Sequence, residues 1–298
     1  MQKKGLLFAG ALLLFAACSN EGSLEVQTPV SVDSAEVCIN VKDFTVTHEP
    51  FPGTRAVEDV AKYENVGAIT LAFYDADDKE VFRSTQIKAD ASTYTKFGQF
   101  SCKLPVGDYT LVSIGRELKD GDEFVFTSQV KAEYTSERVR ETFTSSQSVS
   151  IPEAVHQDID VTLQRIVTMV QVLSTDVRPA EVAKIRTTYG AASKSFNPST
   201  GLATDSNGFS VTNTPNNPVG NTIGVGSYAF LPANEQTMDI TIEALDADGN
   251  ALFTKVVPNV TLCRKQITKI SGNIFTPTTS DFAILIDTDW LPDQIINF

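Results

Sequence analysis

Beyond residue 34 the chain alternates between apolar and polar positions. Val37, Ile39 and Val41 are spaced by Cys38, Asn40 and Lys42, and Phe100, Cys102 and Leu104 by Ser101 and Lys103. A period of two carried by β-branched and aromatic residues marks strands with one buried face. Turn signals separate the runs, as where Pro105-Val106-Gly107-Asp108 leads into Tyr109–Ile114. Helical spacing is scarce: only Val57–Tyr63 and Pro179–Ile185 each predict a short helix. The pattern predicts an all-β protein.

One hairpin occurs twice. Ile69-Thr-Leu-Ala-Phe-Tyr-Asp-Ala-Asp-Asp-Lys-Glu-Val-Phe82 aligns with Ile240-Thr-Ile-Glu-Ala-Leu-Asp-Ala-Asp-Gly-Asn-Ala-Leu-Phe253 at a constant offset of 171, with six of fourteen positions identical. In each copy a strand enters an aspartate-rich turn and leaves as another strand. Copies half a chain apart predict two β-sandwiches in tandem. Ile159, Val161 and Leu163 alternate with polar residues, whereas Ile166–Leu173 is apolar on both faces. The boundary is therefore placed after Gln164, giving modules 35–164 and 165–298. Asn197–Gly226, rich in Asn, Thr, Ser, Gly and Pro, predicts a long surface loop with at best one short strand near Phe209–Val211.

Residues 1–17 are a leader. Lys3 and Lys4 precede thirteen apolar or small residues, Gly5–Ala17. At 1.5 Å per residue this run falls short of a hydrocarbon core of about 30 Å, so it predicts a signal peptide rather than a membrane span. Ala16-Ala17 then meets Cys18, which resembles a bacterial lipobox, with Phe15 where leucine is usual. A fatty-acylated (palmitate-type) Cys18 would anchor the chain stably through two or three acyl chains, where one alone holds only marginally. Ser19 rather than aspartate follows, which suits sorting to the outer membrane. Residues 18–34 then form a polar tether.

Charge narrows the partners. The chain carries 24 basic and 37 acidic residues, a net −13, and has no basic patch for a phosphate backbone. Nucleic acid is excluded on that ground. With only His48 and His156, a triad or zinc site has little to draw on. Asp75-Ala-Asp77-Asp78 and Asp246-Ala-Asp248-Gly249-Asn250 invite a calcium reading, but the twelfth loop position, a glutamate in an EF-hand, is Gln86 or Val257. Turn geometry accounts for these aspartates. Gly224-Val225-Gly226-Ser227 matches neither a nucleophile elbow nor a phosphate loop. No enzyme, cofactor or metal is expected. Beyond Cys18 three cysteines remain, an odd number. Cys38, Cys102 and Cys263 read as buried thiols in strands, with a Cys38–Cys102 disulfide as the alternative.

The leader, the hairpin Ile69–Phe82, Leu104–Val112, Thr162–Val167, Phe230-Leu231-Pro232 and Val260–Phe275 together resemble Bacteroidales fimbrillin-type proteins. These are the FimA/FimB-like fimbrial subunits and anchor lipoproteins. The resemblance implies two transthyretin-like β-sandwich domains after a lipoprotein signal peptide. It also implies a place on the cell surface or fimbrium, fimbrial subunits as partners, and adhesion to a host or bacterial surface ligand. In such families a protease cuts after an arginine in an N-terminal loop, the first strand leaves, and another subunit's C-terminal strand fills the groove. Here Arg55 and Ala56 sit in the loop Pro50-Phe-Pro-Gly-Thr-Arg-Ala56; an ordinary exposed loop arginine is the competing reading. Phe282–Asp287 reads as a last sandwich strand. Trp290, Ile295, Ile296 and Phe298 are donor-strand candidates, with core packing the alternative for Trp290. A carbohydrate-binding surface lipoprotein is the second functional reading. It would want clustered exposed aromatics, and the phenylalanines and tyrosines here fall mostly at strand-interior positions.

Overall fold

The alternating runs become strands in the computed structural model, which describes residues 35–45, 57–121, 123–276 and 283–287, the backbone alone for 35–45, 57–59 and 283–287. The first ten strands are β1 (Ala35–Thr45), β2 (Val57–Asp59), β3 (Ala68–Tyr74), β4 (Glu80–Ile87), β5 (Gln99–Leu104), β6 (Gly107–Arg116), β7 (Phe124–Ser128), β8 (Lys131–Tyr134), β9 (Thr142–Ile151) and β10 (Gln157–Arg165). Ten more follow: β11 (Thr168–Ser174), β12 (Lys184–Tyr189), β13 (Ser195–Asn197), β14 (Leu202–Ala203), β15 (Phe209–Asn213), β16 (Gly224–Ala229), β17 (Glu235–Leu245), β18 (Ala251–Cys263), β19 (Ile267–Gly272) and β20 (Ala283–Asp287). The only helix among the described residues is a single 3-10 turn at Ala91–Thr93. The protein is all-β.

The first sheet runs β2-β1-β10-β9-β6-β3-β4, with β5 also on β1. β9 and β10 touch only at Thr144↔Gln164 and Phe143↔Arg165, then diverge. That divergence turns one sheet into two facing layers. Ile69, Leu71 and Phe73 of β3 and Leu111 of β6 pack against Phe100 and Leu104 of β5 and Val161 and Leu163 of β10. This is a β-sandwich core, and β5 shows strict inward–outward alternation.

β3 is buried at every position, a departure from one-sided alternation. Its second face is covered as well. Ala72 and Tyr74, with Val112 and Ile114 of β6, pack against Phe126, Ala132, Tyr134, Phe196 and Phe230. These come from both halves of the chain, because a small sheet of order β14-β13-β8-β7 pairs Phe196 with Ala132. Rings of Phe196 and Phe230 lie 4.4 Å apart at the centre of this cluster. At about 25 cal/mol per Å² of apolar surface, such aromatic contacts dominate the join.

Two further four-stranded sheets, β16-β11-β19-β20 and β15-β12-β17-β18, face each other across Val170, Val172, Ile185, Ile240, Ile242, Val260 and Ile270. They form the second sandwich. β11 lies centrally, paired to β16 on one side and parallel to β19 on the other.

A buried ion pair closes the corner where β9 meets β10. Both side chains of Arg165 and Glu141 are 2% exposed, with Nη2 2.5 Å and Nε 2.8 Å from Oε1. Tyr63 Oη donates to Oε1 and Asn65 Nδ2 to Oε2 of the same carboxylate, each at 2.9 Å. Burial, then the Glu141 charge, pushes the Tyr63 phenol well above its ordinary pKa.

Four expectations change. Val57–Tyr63 is not a helix: Val57–Asp59 pairs with Thr45–Asp43 of β1, and tertiary pairing overrides the spacing. Pro179–Ile185 is a single turn, closed by Val182 N–H to the Pro179 carbonyl at 3.2 Å, before Lys184 enters β12. The loop expected over 197–226 holds β14 and β15 and the start of β16. Cys102 is buried as expected, but Cys263 is half-buried, outward of Leu262, its Sγ 3.9 Å from Glu235. Burial and Glu235 raise that thiol's pKa. The Cys38 side chain lies outside the described residues.

Candidate strand-exchange site

The first strand is hydrogen-bonded on both edges. On one side β1 runs parallel to β10, Val37 opposite Gln157 and Val41 opposite Val161, with a one-residue slip before Asp43 opposite Thr162. On the other side it is antiparallel to β5, from Ala35 opposite Leu104 to Asn40 opposite Gln99, and then to β2, from Asp43 opposite Asp59. Chain-terminal strands often sit at sheet edges; this one is central.

That placement makes β1 the link between β5 and β10. β10 keeps only the Thr144 and Phe143 bridges to β9 once β1 is removed, and β5 pairs with no other strand. Two unpaired edges would then face each other across the gap of one strand, about 10 Å at 4.8 Å per spacing. An open edge of this kind recruits another extended chain. The floor of the gap is apolar: Phe100 and Leu104 on β5 and Val161 and Leu163 on β10 are buried. A replacement strand must therefore carry apolar residues at alternating positions, a pattern the sequence has at Val37, Ile39 and Val41.

Residues 46–56, between β1 and β2 in the sequence, include both Arg55 and Ala56, immediately before Val57. Arg55 and Ala56 themselves lie outside the described residues, as do residues 1–34, where the signal peptide 1–17, Cys18 and the tether are expected, and Trp290, Ile295, Ile296 and Phe298. At the other end β20 is the edge strand of its sheet, antiparallel to β19 from Ser271 opposite Ala283 to Ile267 opposite Asp287. Among the described residues no three His, Cys, Asp or Glu side chains gather as a metal site, and no helix is long and apolar enough to cross a membrane.

Two features escaped the sequence. Arg165 continues the inward parity of Val161 and Leu163, and a charge at a buried position implies a buried partner. That signal was legible, though its partner Glu141 was not. Arg264, in the basic turn after β18, is partly buried at the seam between β9, β10 and the 198–201 loop. Nothing local announces that position.

These features define a two-sandwich β protein whose first strand is paired on both edges. By sequence the chain belongs to DUF6562, a family of unknown function, over residues 35–296. No curated protein sequence matches it. Among solved structures, the fimbrial anchor protein Mfa2 from Porphyromonas gingivalis is similar with a TM-score of 0.52 and 11% identity, over 85% of this chain and 97% of that one. A candidate polysaccharide-binding protein from Bacteroides thetaiotaomicron gives 0.51 and 13%, over 80% and 90%. A candidate adhesin from Bacteroides ovatus gives 0.50 and 12%, over 76% and 79%. At these identities the likeness is one of fold.

Proposed function

We propose that the protein is a fimbrial subunit or anchor of the cell surface, moored in the outer membrane through acylated Cys18, with a structural, non-catalytic role in adhesion. Its partners are other fimbrial subunits, joined by strand addition, and a host or bacterial surface ligand. The observation that carries this reading is the double pairing of β1 between β5 and β10, next to a loop that holds Arg55. The shared fold of the fimbrial anchor Mfa2 supports it. We take 35–164 and 165–298 as the two modules, the first accepting a strand and the tail with Trp290, Ile295, Ile296 and Phe298 donating one.

Mass spectrometry of the mature N-terminus tests it. A chain starting at acylated Cys18 fits an anchor, and one starting at Ala56 fits a polymerising subunit. A chain with neither start, found free in the periplasm, overturns the proposal. Deleting residues 291–298 should abolish assembly and leave the melting of both sandwiches intact.

A further inference from the structure

The two sandwiches share a three-strand order. β5-β1-β10 in the first and β16-β11-β19 in the second each put the opening strand of the module in the middle, antiparallel to one neighbour and parallel to the other. They differ at the next position. β19 carries β20, antiparallel, on its outer edge. β10 meets β9 only at Gln164 and Arg165, so among the described residues Gln157–Leu163 has no strand on that side. Gln147 Nε2 reaches across to the Asp160 carbonyl at 3.4 Å, long for such a bond. Val161 and Leu163 are buried along this edge, while Ile159 packs on the core and stays partly exposed. Edges of this kind are ordinarily paired, covered or blunted.

The chain brings a segment of its own to that place. β20 runs back along β19 and ends with Asp287 opposite Ile267. The residues just before Ile267 sit at the β10–β11 link: Lys265 N–H donates to the Val167 carbonyl at 2.8 Å, and Lys265 Nζ lies 3.1 Å from Gln164 Oε1. Arg264 lines the cleft between β9 and β10, so β19 and β20 lie on the open side of β10, away from β1. Ile267 is level with Met169, which puts Asp287 two strand spacings, about 10 Å, from Met169. Leu163 is six residues before Met169. Residues 288–298 follow β20 and lie outside the described residues. Six of them, 288–293, extend to about 20 Å, enough to bring Gln294 level with Leu163. The acids among these six, Asp289 and Asp293, cross a corner whose cations are Arg264 and Lys265. Beyond Pro292 and Asp293, Gln294-Ile-Ile-Asn-Phe298 has the β-branched and aromatic residues of a short strand.

We propose that residues 294–298 pair in cis with this open edge, antiparallel to β10, with Ile296 opposite Val161 and Phe298 opposite Ile159. The first sandwich then gains a strand in the place that β20 fills in the second. The inference concerns the unassembled chain and does not rest on strand addition between subunits.

Residue-resolved hydrogen exchange of the full chain, monomeric in detergent, tests it. Deleting residues 294–298 should quicken, by at least about tenfold, the amides of Gln157–Leu163 that point away from β1. Amides of Gln99–Leu104 and the melting temperature should stay as they were, because β1 still holds β10 and β5. Ile296→Asp should have the same effect at full length, which keeps the test open if the shortened chain does not fold. Thr162→Cys with Ile295→Cys should form a disulfide within one chain, since directly opposed strand positions fall within the Cα separation of about 4.4–6.8 Å that a disulfide spans. Unchanged exchange in a folded variant, or a disulfide found only between chains, overturns the proposal.

Discussion

Asp75 and Asp246, offset by 171 residues, hold two hairpin tips in the same way. Asp75 Oδ1 accepts the backbone N–H of Asp77 at 3.0 Å and of Lys79 at 2.9 Å; Asp246 Oδ1 accepts that of Asn250 at 2.8 Å. Each aspartate also donates its own N–H to the carbonyl four residues on, Lys79 or Asn250. The left-handed position is Asp78 at φ 61° in one copy and Gly249 at φ 92° in the other. Even the irregularity repeats: the register slips between Phe73 and Tyr74, and between Ala244 and Leu245. The third strand differs, since β3 takes β6 and β17 takes β12 as its other neighbour. Both carboxylates accept backbone N–H groups at their hairpin tips, the turn role expected of them.

Asp75→Ala should therefore destabilise the first sandwich by about 1 kcal/mol, the net worth of its backbone hydrogen bonds. Asp246→Ala should lower the melting temperature as well. The two effects should add, because the sites share no partner. Thermal melts with calcium and with a chelator should coincide; a calcium-dependent rise lost in Asp75→Ala would reverse the assignment.

Arg186 and Glu243 face each other across β12 and β17 in a two-pronged ion pair, Nε to Oε2 at 2.6 Å and Nη2 to Oε1 at 2.8 Å. The guanidinium holds the Glu243 carboxyl below the usual carboxylate range. A depressed folded-state pKa adds stability that is present above the unfolded value, near 4.3, and is lost as pH falls through the folded one. The arginine is about one-third exposed, so Glu243→Gln should cost only about 0.5–1 kcal/mol at pH 7. Denaturation at pH 7 and pH 3 should show that difference shrinking; a constant difference would point to packing instead.

Arg165→Met should be far more damaging. It strands Glu141, which is 2% exposed, with only the Tyr63 and Asn65 donors. Breaking one side of a buried pair typically costs about 3–5 kcal/mol, whereas replacing both sides is much cheaper. Arg165→Met with Glu141→Gln should recover much of the loss in urea denaturation. Equal loss in single and double variants would show that the guanidinium's packing over the Phe143 ring, at 5.1 Å, is what matters.

What was legible in the chain was local. Alternation in β5, β12 and β19 and the aspartate tips identify strands and hairpins because neighbours in sequence decide them. The β8–β13 pairing that ties Ala132 to Phe196 was not legible, since β13 is three residues long and its pairing depends on a partner more than sixty residues away. The same holds for Val57, whose helical spacing lost to the edge of β1. In the candidate exchange site, the alternating first strand was readable, but the central place of that strand was not. Parallel pairing of β1 with β10 leaves no turn signal, because the whole first sandwich intervenes.

The β1 pairing makes a sharper demand than proteolysis alone. Backbone amides of β10 from Gln157 to Leu163 have β1 as their only cross-strand neighbour, since β9 meets β10 only beyond them. Cutting after Arg55 should by itself change little, because β1 remains hydrogen-bonded to both β5 and β10. Once residues before Ala56 are washed away under mild denaturant, hydrogen exchange should quicken in Gln157–Leu163 and Gln99–Leu104 together. β6 and β3 should stay protected, as each keeps both of its partners. Adding back a peptide of residues 35–45 should restore protection to both strands at once. If β10 quickens and β5 does not, the strand leaves an edge rather than a groove, and insertion of a second subunit's strand at that place is excluded.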